Sequence, residues 1–306
     1  MGRFLLSRFL SLLAVLVMVL TMTFVLFRES PGGPFSSERD ATAEQIHEKE
    51  VRYKLDGSLT SQVVRWWWDA LHGDFRESMR SKNFTVTEIL RQSLPVSFTL
   101  GGISLVLAAF GGIFAGALSA SRQKGFADRL TMTAALLAIS LPTFVTGPLL
   151  VLVFALMLGW LPVGGWTGMK HIILPAICLA LPYGAYVARL MRNSMVEVLG
   201  ADFIRTARAK GLPERKVIYK HALKVAILPV VSYLGPLAAG LLTGSVVVES
   251  IFGIPGAGQH FVNSILNKDG FLLMGAVAVY CVLLVFLNFL VDVFYCLLDR
   301  RIKLYE

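Results

Sequence analysis

Long uncharged, apolar runs limit the possible folds of this chain more than any other feature. The longest run, residues 130–169, has 40 residues without a charged side chain. A membrane-spanning helix needs about 20 apolar residues, so we expect a helix to about Leu158 and then a loop rich in Gly, Pro and Trp. Backbone groups in lipid must be hydrogen-bonded within their own segment, which favours helices. The predicted spans are residues 9–27, 93–121, 130–158, 172–188, 225–248 and 271–291.

The composition agrees with a membrane protein that crosses the bilayer several times. Of 306 residues, 55% are hydrophobic and only 16% are charged, which is unusual for a soluble domain. The first apolar run is too long for a cleaved signal peptide, and no small-residue cleavage site follows it, so we expect it to stay as a span. The cysteines fall in or at the end of predicted spans, and this position implies no disulfide framework.

The distribution of Lys and Arg predicts the orientation of the spans. With the N-terminus inside, the inner segments carry 17 of these residues, whereas the two short outer loops carry only Lys170 and Lys268. Positive charge is enriched in cytoplasmic loops, so both termini are predicted to be cytoplasmic. The net charge of +9 is then explained by topology and anionic lipid, and nucleic acid is not needed as a partner.

The predicted organisation has three parts. Residues 1–27 form the N-terminal segment and first span, residues 28–92 an extracytoplasmic insertion, and residues 93–306 a core domain with five spans. Within the insertion, residues 42–55 and 59–71 are predicted helices separated by a turn at Asp56 and Gly57. The second helix carries three consecutive tryptophans, residues 66–68, which are typical of an interfacial belt; a docking surface for an external partner is the alternative.

An inner loop at about residues 193–224 has unusual content for a connection between spans. Residues 197–210 are predicted to form a basic helix that Gly211 ends, and Pro213 is expected in the first turn of a second helix. Ala207 and Gly211 are one turn apart, so small side chains there would allow close approach of a soluble partner. The alternative is a helix lying on anionic headgroups.

The sequence of this loop, IRTARAKGLP at residues 204–213, resembles the EAA loop of ABC importer permeases, in the form of the dipeptide and oligopeptide group. Residues 205–207 are Arg, Thr and Ala where the most familiar form has Glu-Ala-Ala, a departure that is usual in the peptide group. Three further stretches resemble motifs of this group, and the likeness extends to Asp299: RESPGGPF at 28–35, HGDF at 72–75 and VVESIFGIPGAG at 247–258.

The resemblance, which is greatest to the B-type subunit, implies an all-α, six-span type I permease in the cytoplasmic (inner) membrane. It implies a C-type second permease, two ATPase subunits that bind ATP and Mg, an external solute-binding protein and a peptide substrate. This chain would then be a pore subunit without cofactor or catalytic residues. Outer-gate residues would be Ser245, Glu249 and Pro255. The implied ATPase-coupling residues are Phe203, Ile204, Arg205, Thr206, Ala207, Arg208, Ala209, Lys210, Gly211, Leu212 and Pro213.

Other functions stay open at this point. Related permeases carry nickel, haem or glycosides, and the sequence does not rank these substrates well. A secondary transporter would carry acidic residues inside its spans, whereas Asp292, near an inner end, is the only candidate here. The chain has no phosphate-binding loop of the type G-x-x-x-x-G-K-[ST] and no H-E-x-x-H motif.

Overall fold

The computed structural model describes residues 2–30, 43–81, 84–242 and 246–298. Most of these residues are helical, and the one extended pairing found among them is a bridge between Glu77 and Thr85. The helices are α1 Gly2–Arg28, α2 Ala43–Arg52, α3 Leu59–Leu71, α4 Val86–Ser121, α5 Phe126–Ser140, α6 Thr143–Leu150, α7 Met169–Leu199, α8 Asp202–Ala209, α9 Glu214–Lys216, α10 Leu223–Ala226, α11 Leu228–Leu242, α12 Val246–Ile251, α13 Ala257–Leu266 and α14 Gly270–Leu298. Two π-helical segments, Val151–Met157 and Val217–Ala222, follow α6 and α9.

The chain divides into two compact units, and the first contains the described residues up to Ser97 and from Pro255 onward. In this unit α1 packs along α14, and α3 and α13 pack against α1 and α14 respectively. The core is aromatic: the rings of Phe24 and Trp66 have centroids 5.9 Å apart, and Phe271 is fully buried. The insertion therefore shares one hydrophobic core with the first and last predicted spans.

Asp269 and Arg76 attach the insertion to the start of α14. The buried Asp269 carboxylate accepts hydrogen bonds from the Leu272 amide, as a helix N-cap does, and from the Ser78 hydroxyl and the Met79 amide. The Arg76 guanidinium lies 5.2 Å from the centre of the Phe271 ring. Both contacts fix the loop after α3 against the N-terminal end of α14.

The tryptophans of α3 differ from one another in environment. Trp66 is 1% exposed, the Trp67 indole nitrogen donates to the Thr21 hydroxyl at 3.1 Å, and Trp68 is 67% exposed. The prediction of an interfacial belt is therefore wrong for Trp66, because successive residues of a helix point about 100° apart and α3 packs on α1.

The second unit comprises Phe98–Ile254, and α7 is its central helix. Helices α5, α6, α11 and α12 all pack against α7. The glycines Gly112 and Gly116 of α4 allow close approach, since a Cβ atom at either position would collide with the backbone of α7.

Two of the six predicted spans are bent rather than straight. Helix α5 and the segment Thr143–Met157 meet at 111°, and Glu214–Ala226 meets α11 at 52°. The prediction of one helix to Leu158 is wrong, because Pro142 disfavours helical geometry at Leu141, which is extended with ψ of 119°. Within the described residues, four helices are long and apolar enough to cross a membrane, or up to six spans exist if each bent pair counts as one.

Candidate functional site

The inner loop forms two short helices after α7. Helix α7 ends at Leu199, Gly200 is its C-cap, and Ala201 is the extended N-cap of α8. Asp202 lies in the first turn of α8, where its carboxylate favours the helix dipole. The predicted helix over residues 197–210 is thus divided between α7 and α8. The break at Gly200 and Ala201 separates the two helices.

Gly211 ends α8 in the left-handed conformation, with φ of +74°. The Gly211 amide donates to the Arg208 carbonyl at 2.9 Å and the Leu212 amide to the Ala207 carbonyl at 3.4 Å, which is the hydrogen-bond pattern of a Schellman motif. The left-handed end of the helix is therefore confirmed. Pro213 is the N-cap of α9, one position before the first-turn site predicted for it.

The inner face of α8 packs against the π-helical segment Val217–Ala222. On α8, Ile204 is 0% exposed and Ala207 is buried; Val217 and Ala222 are buried on the other side. The prediction that Ala207 approaches a soluble partner is therefore contradicted, because this face is already covered by the chain itself. The buried contact instead connects α8 to the segment that leads into α10 and α11.

The exposed face of α8 is basic, with small residues between the charges. Phe203 is 46% exposed at the edge of this face. The Arg205 and Arg208 guanidinium groups are paired with the Asp202 and Glu214 carboxylates at 3.4 and 2.7 Å, and the hydrogen bond from Arg208 to Glu214 raises the Arg208 pKa. The outward-facing small residues are Thr206 and Ala209, which sequence spacing alone did not select.

One ion pair positions the inner part of α7, and the sequence analysis missed it. The Arg192 guanidinium donates to both oxygens of Asp128 at 2.7 and 2.9 Å. Asp128 also accepts from the Ser119 hydroxyl at 2.5 Å and the Lys124 amide at 2.8 Å. The signal was present as the lone acid, Asp128, in an otherwise basic inner loop.

The predicted outer-gate residues do not form one exposed site. Ser245 lies outside the described residues. The Glu249 side chain is 0% exposed in this chain, and its assignment to an outer gate stays a prediction. Helix α12 ends at a second left-handed glycine, Gly253, with φ of +60°, and Pro255 beyond it is exposed. This stretch is a turn closed by backbone hydrogen bonds, in which the Ile254 amide donates to the Glu249 carbonyl at 2.8 Å.

Within the described ranges, no group of three or more His, Cys, Asp or Glu side chains could hold a metal ion. The segment formed by α8 and α9 offers an exposed, charged surface that is packed on its inner side against Val217–Ala222. Such a surface suits a protein partner better than a small-molecule substrate, because it is exposed and carries paired charges, whereas small-molecule sites are concave and mostly apolar.

Comparison with known proteins defines the class to which this fold and segment belong. Residues 112–304 match the family of binding-protein-dependent transport system inner membrane components, and the chain belongs to this family. It is therefore a permease of an ABC importer. A crystal structure of an amino acid ABC transporter with histidines shares the fold, with TM-score 0.53 and 17% identity over 68% of this chain and 93% of that one.

Individual relatives match over their whole length. The oligopeptide transport system permease protein OppB of Salmonella typhimurium is 43% identical over 99% of this chain and 100% of its own. The Escherichia coli K12 protein of the same name is 42% identical over the same shares. The dipeptide transport system permease protein DppB of Bacillus subtilis is 42% identical over 100% of this chain and 99% of its own.

Proposed function

We propose that this chain carries peptides across the cytoplasmic membrane as the permease subunit of an ATP-driven importer. The observation that carries the proposal is similarity above 40% identity, over the full length, to permeases named for oligopeptide and dipeptide transport. The chain supplies the wall of the path and the contact with the ATPases. ATP and Mg bind to the two separate ATPase subunits, and this chain holds no cofactor.

The proposed topology has six spans with both termini in the cytoplasm and the insertion outside. Counting each bent pair as one span gives six, and the bias of Lys and Arg toward the inner segments supports the orientation. A C-type permease would complete the path, and an external solute-binding protein would deliver the peptide.

Helix α8 is the proposed contact with the ATPases. Its outer face would sit in a groove of an ATPase subunit, with Phe203 and Ala209 at the contact and the basic side chains near acidic groups on the rim. Its inner face, Ile204 and Ala207, bears on the segment before α10 and α11. Closure of the ATPases on ATP would then shift a two-state element, because α8 moves with that segment as one packed body.

The proposal is tested in cells that lack the chain and depend on it for uptake of a toxic peptide. We expect resistance to the peptide without the chain, and restored sensitivity with the wild-type chain. Purification of the tagged chain in mild detergent should recover a second permease and two ATPases. Unchanged sensitivity in cells without the chain, together with purification of the chain alone, would contradict the proposal.

The topology has its own test. Val64, in the insertion, is 67% exposed, and Ala209 is exposed on α8. A cysteine at position 64 should react with an impermeant reagent in intact cells, and a cysteine at position 209 only after the membrane is opened. The reverse pattern would show that the orientation is wrong.

A further inference from the structure

Three tyrosines meet where α7 and α11 pack against each other. The rings of Tyr186 on α7 and Tyr233 on α11 have centroids 4.6 Å apart with an interplanar angle of 37°. Tyr183, about one turn before Tyr186, reaches α11 at Gly240, where a Cβ atom would lie 3.5 Å from the tyrosine hydroxyl. Tyr186 is 48% exposed, and Tyr183 and Tyr233 are partly exposed. The three residues are called the tyrosine cluster below.

The hydroxyls of the cluster have no hydrogen-bond partner among the side chains and backbone groups of the described residues. A hydroxyl in hydrocarbon without a hydrogen-bond partner is strongly unfavourable relative to water. Tyrosines of membrane proteins accordingly prefer the headgroup level. Helix α7 has 31 residues and is about 46 Å long, and Tyr183 lies near its middle. Measured against the predicted spans, Tyr183 lies five residues from the inner end of residues 172–188 and Tyr233 eight residues from the inner end of residues 225–248. These two hydroxyls therefore lie within the apolar part of the spans, whereas Tyr186 lies one turn before Arg189 at the predicted cytoplasmic end.

The exposed face that carries the cluster is also more polar than a lipid-facing surface. Arg189 and Asn193 continue the face of Tyr186 along α7 into its predicted cytoplasmic end, and both are exposed, so this face is polar from the cytoplasmic side up to the cluster. Helix α4 in the same unit differs: Phe110 and Phe114 are 72% and 68% exposed, and the surface around them is apolar. The α4 surface suits acyl chains, whereas the α7 and α11 face suits a polar, hydrated path.

We propose that the tyrosine cluster lines the translocation path and binds the main-chain amides of the passing peptide. The inference rests on the proposed function and names the groups that would recognise its substrate. A tyrosine hydroxyl both donates and accepts hydrogen bonds, so it can pair with the carbonyl or the N–H group of any peptide bond. Recognition of the main chain accepts peptides of different sequence, and neutral partners bind weakly enough to release them.

The first test is photocrosslinking in the assembled transporter. p-Benzoylphenylalanine replaces Tyr186 or Tyr233, and Phe114 on α4 is the matched control. With ATP, the solute-binding protein and a radiolabelled peptide, we expect labelled peptide on the chain from positions 186 and 233 and none from 114. Adducts from 186 and 233 to lipid or to another subunit alone, with none to peptide, would overturn the inference.

The second test removes the hydroxyls and keeps the rings. The triple variant Tyr183→Phe, Tyr186→Phe, Tyr233→Phe should assemble with its partner subunits as the wild type does. Its uptake KM for a tripeptide should rise about tenfold or more, since the net loss of one hydrogen bond to the peptide is enough for that factor. The wild type should also prefer this tripeptide over its N-methylated form, and the variant should lose most of that preference.

The experiments distinguish the proposed transport function from the proposed role of the tyrosine cluster. If the wild-type transporter takes up no peptide, the proposed function fails. If the wild type takes up peptide and the triple variant matches it in KM and in preference over the N-methylated form, the role of the tyrosine cluster is wrong while the proposed function stands.

Discussion

Arg192 and Asp128 form a bidentate ion pair, in which the guanidinium group donates to both carboxylate oxygens and joins helix α7 to the start of α5. The Asp128 side chain is 5% exposed and that of Arg192 is 24% exposed. Asp128 is held by four donors in total, including the Ser119 hydroxyl and the Lys124 amide. The pair lies less than three helical turns before the end of α7. It therefore holds in place the C-terminal part of α7, which α8 follows.

Loss of Arg192 should destabilise the protein strongly. Arg192→Ala leaves the Asp128 carboxylate buried without its cation, and breaking such a pair costs about 3 kcal/mol or more. We expect a clear fall in the temperature at which the detergent-purified transporter loses its native size-exclusion peak. Arg205→Ala is the matched control, because an exposed pair contributes only about 0–1 kcal/mol. Equal midpoint temperatures for the two variants would contradict this prediction.

Ala209 and Ala207 should respond differently to a bulky side chain. Ala209→Trp adds bulk on the exposed face of α8, so the chain should stay folded in the membrane but lose ATPase co-purification and peptide uptake. Ala207→Trp adds bulk to the buried face and should reduce the amount of folded chain itself, because overpacking a core costs about 1–3 kcal/mol.

Ala209→Ser is the conservative control and should assemble and transport normally. The discriminating measurement is folded chain in the membrane against ATPase recovered with it. If Ala209→Trp retains its ATPases and normal uptake, the exposed face of α8 is not the contact, and a helix lying on lipid headgroups becomes the better account.

Gly211 should be sensitive to backbone conformation and not to size. A Cβ atom at this position would meet no atom within 4 Å, yet φ is +74°. Gly211→Asn should keep near-normal uptake, because Asn tolerates the left-handed region. Gly211→Val should lose most uptake, since a left-handed conformation costs an L-residue about 1–2 kcal/mol and a β-branched one more. Similar uptake by the two variants would show that the cap is dispensable.

Asp69 makes the predicted insertion between α1 and α4 sensitive to acid. Burial alone would raise the Asp69 pKa, but hydrogen bonds from Lys54 and Arg76 outweigh burial and hold the pKa below its usual value of 3.8. Stability from this group is present above the pKa of the unfolded chain and is lost as pH falls through the lower, folded value. The protection factors of residues 59–71, which are exchange rates corrected for the intrinsic effect of pH, should therefore fall below about pH 4 in the wild type.

The variant Asp69→Asn supplies the comparison for this pH effect. The amide cannot titrate, so exchange in α3 should be faster than in the wild type at pH 7, and its remaining pH dependence should be weaker below pH 4. An acid response of Asp69→Asn as steep as that of the wild type would assign the effect to other groups.

Local rules predicted the parts of this molecule that depend on neighbouring residues in sequence. The helix over residues 59–71 and the left-handed end at Gly211 are both confirmed, because caps and turn glycines act within a few residues. The family was also identified correctly, since its motifs are contiguous stretches. The burial of Trp66 and Ala207 was not predictable in this way. Residue spacing defines the faces of a helix, but it does not say which face a distant segment of the chain covers.

The bend after α5 had a signal in the sequence, a proline, but the prediction of one long helix relied on the absence of charged residues. Pro142 lies inside an uncharged run, and the absence of charge favoured one long helix. A proline disfavours helical geometry at the residue before it, and Leu141 is accordingly extended, which ends α5. The Arg192 and Asp128 pair joins residues 64 positions apart, and the tyrosine cluster joins α7 to α11. Contacts of that range arise from helix packing, which no local pattern in one sequence specifies.

Uptake by reconstituted vesicles tests the central claim most directly. The purified transporter, with this chain and its partner subunits, is placed in proteoliposomes with ATP on the ATPase side and labelled peptide plus solute-binding protein on the other. The account predicts peptide accumulation that requires ATP and that Ala209→Trp, or omission of this chain, abolishes. Accumulation that is the same without ATP or without this chain would contradict the account.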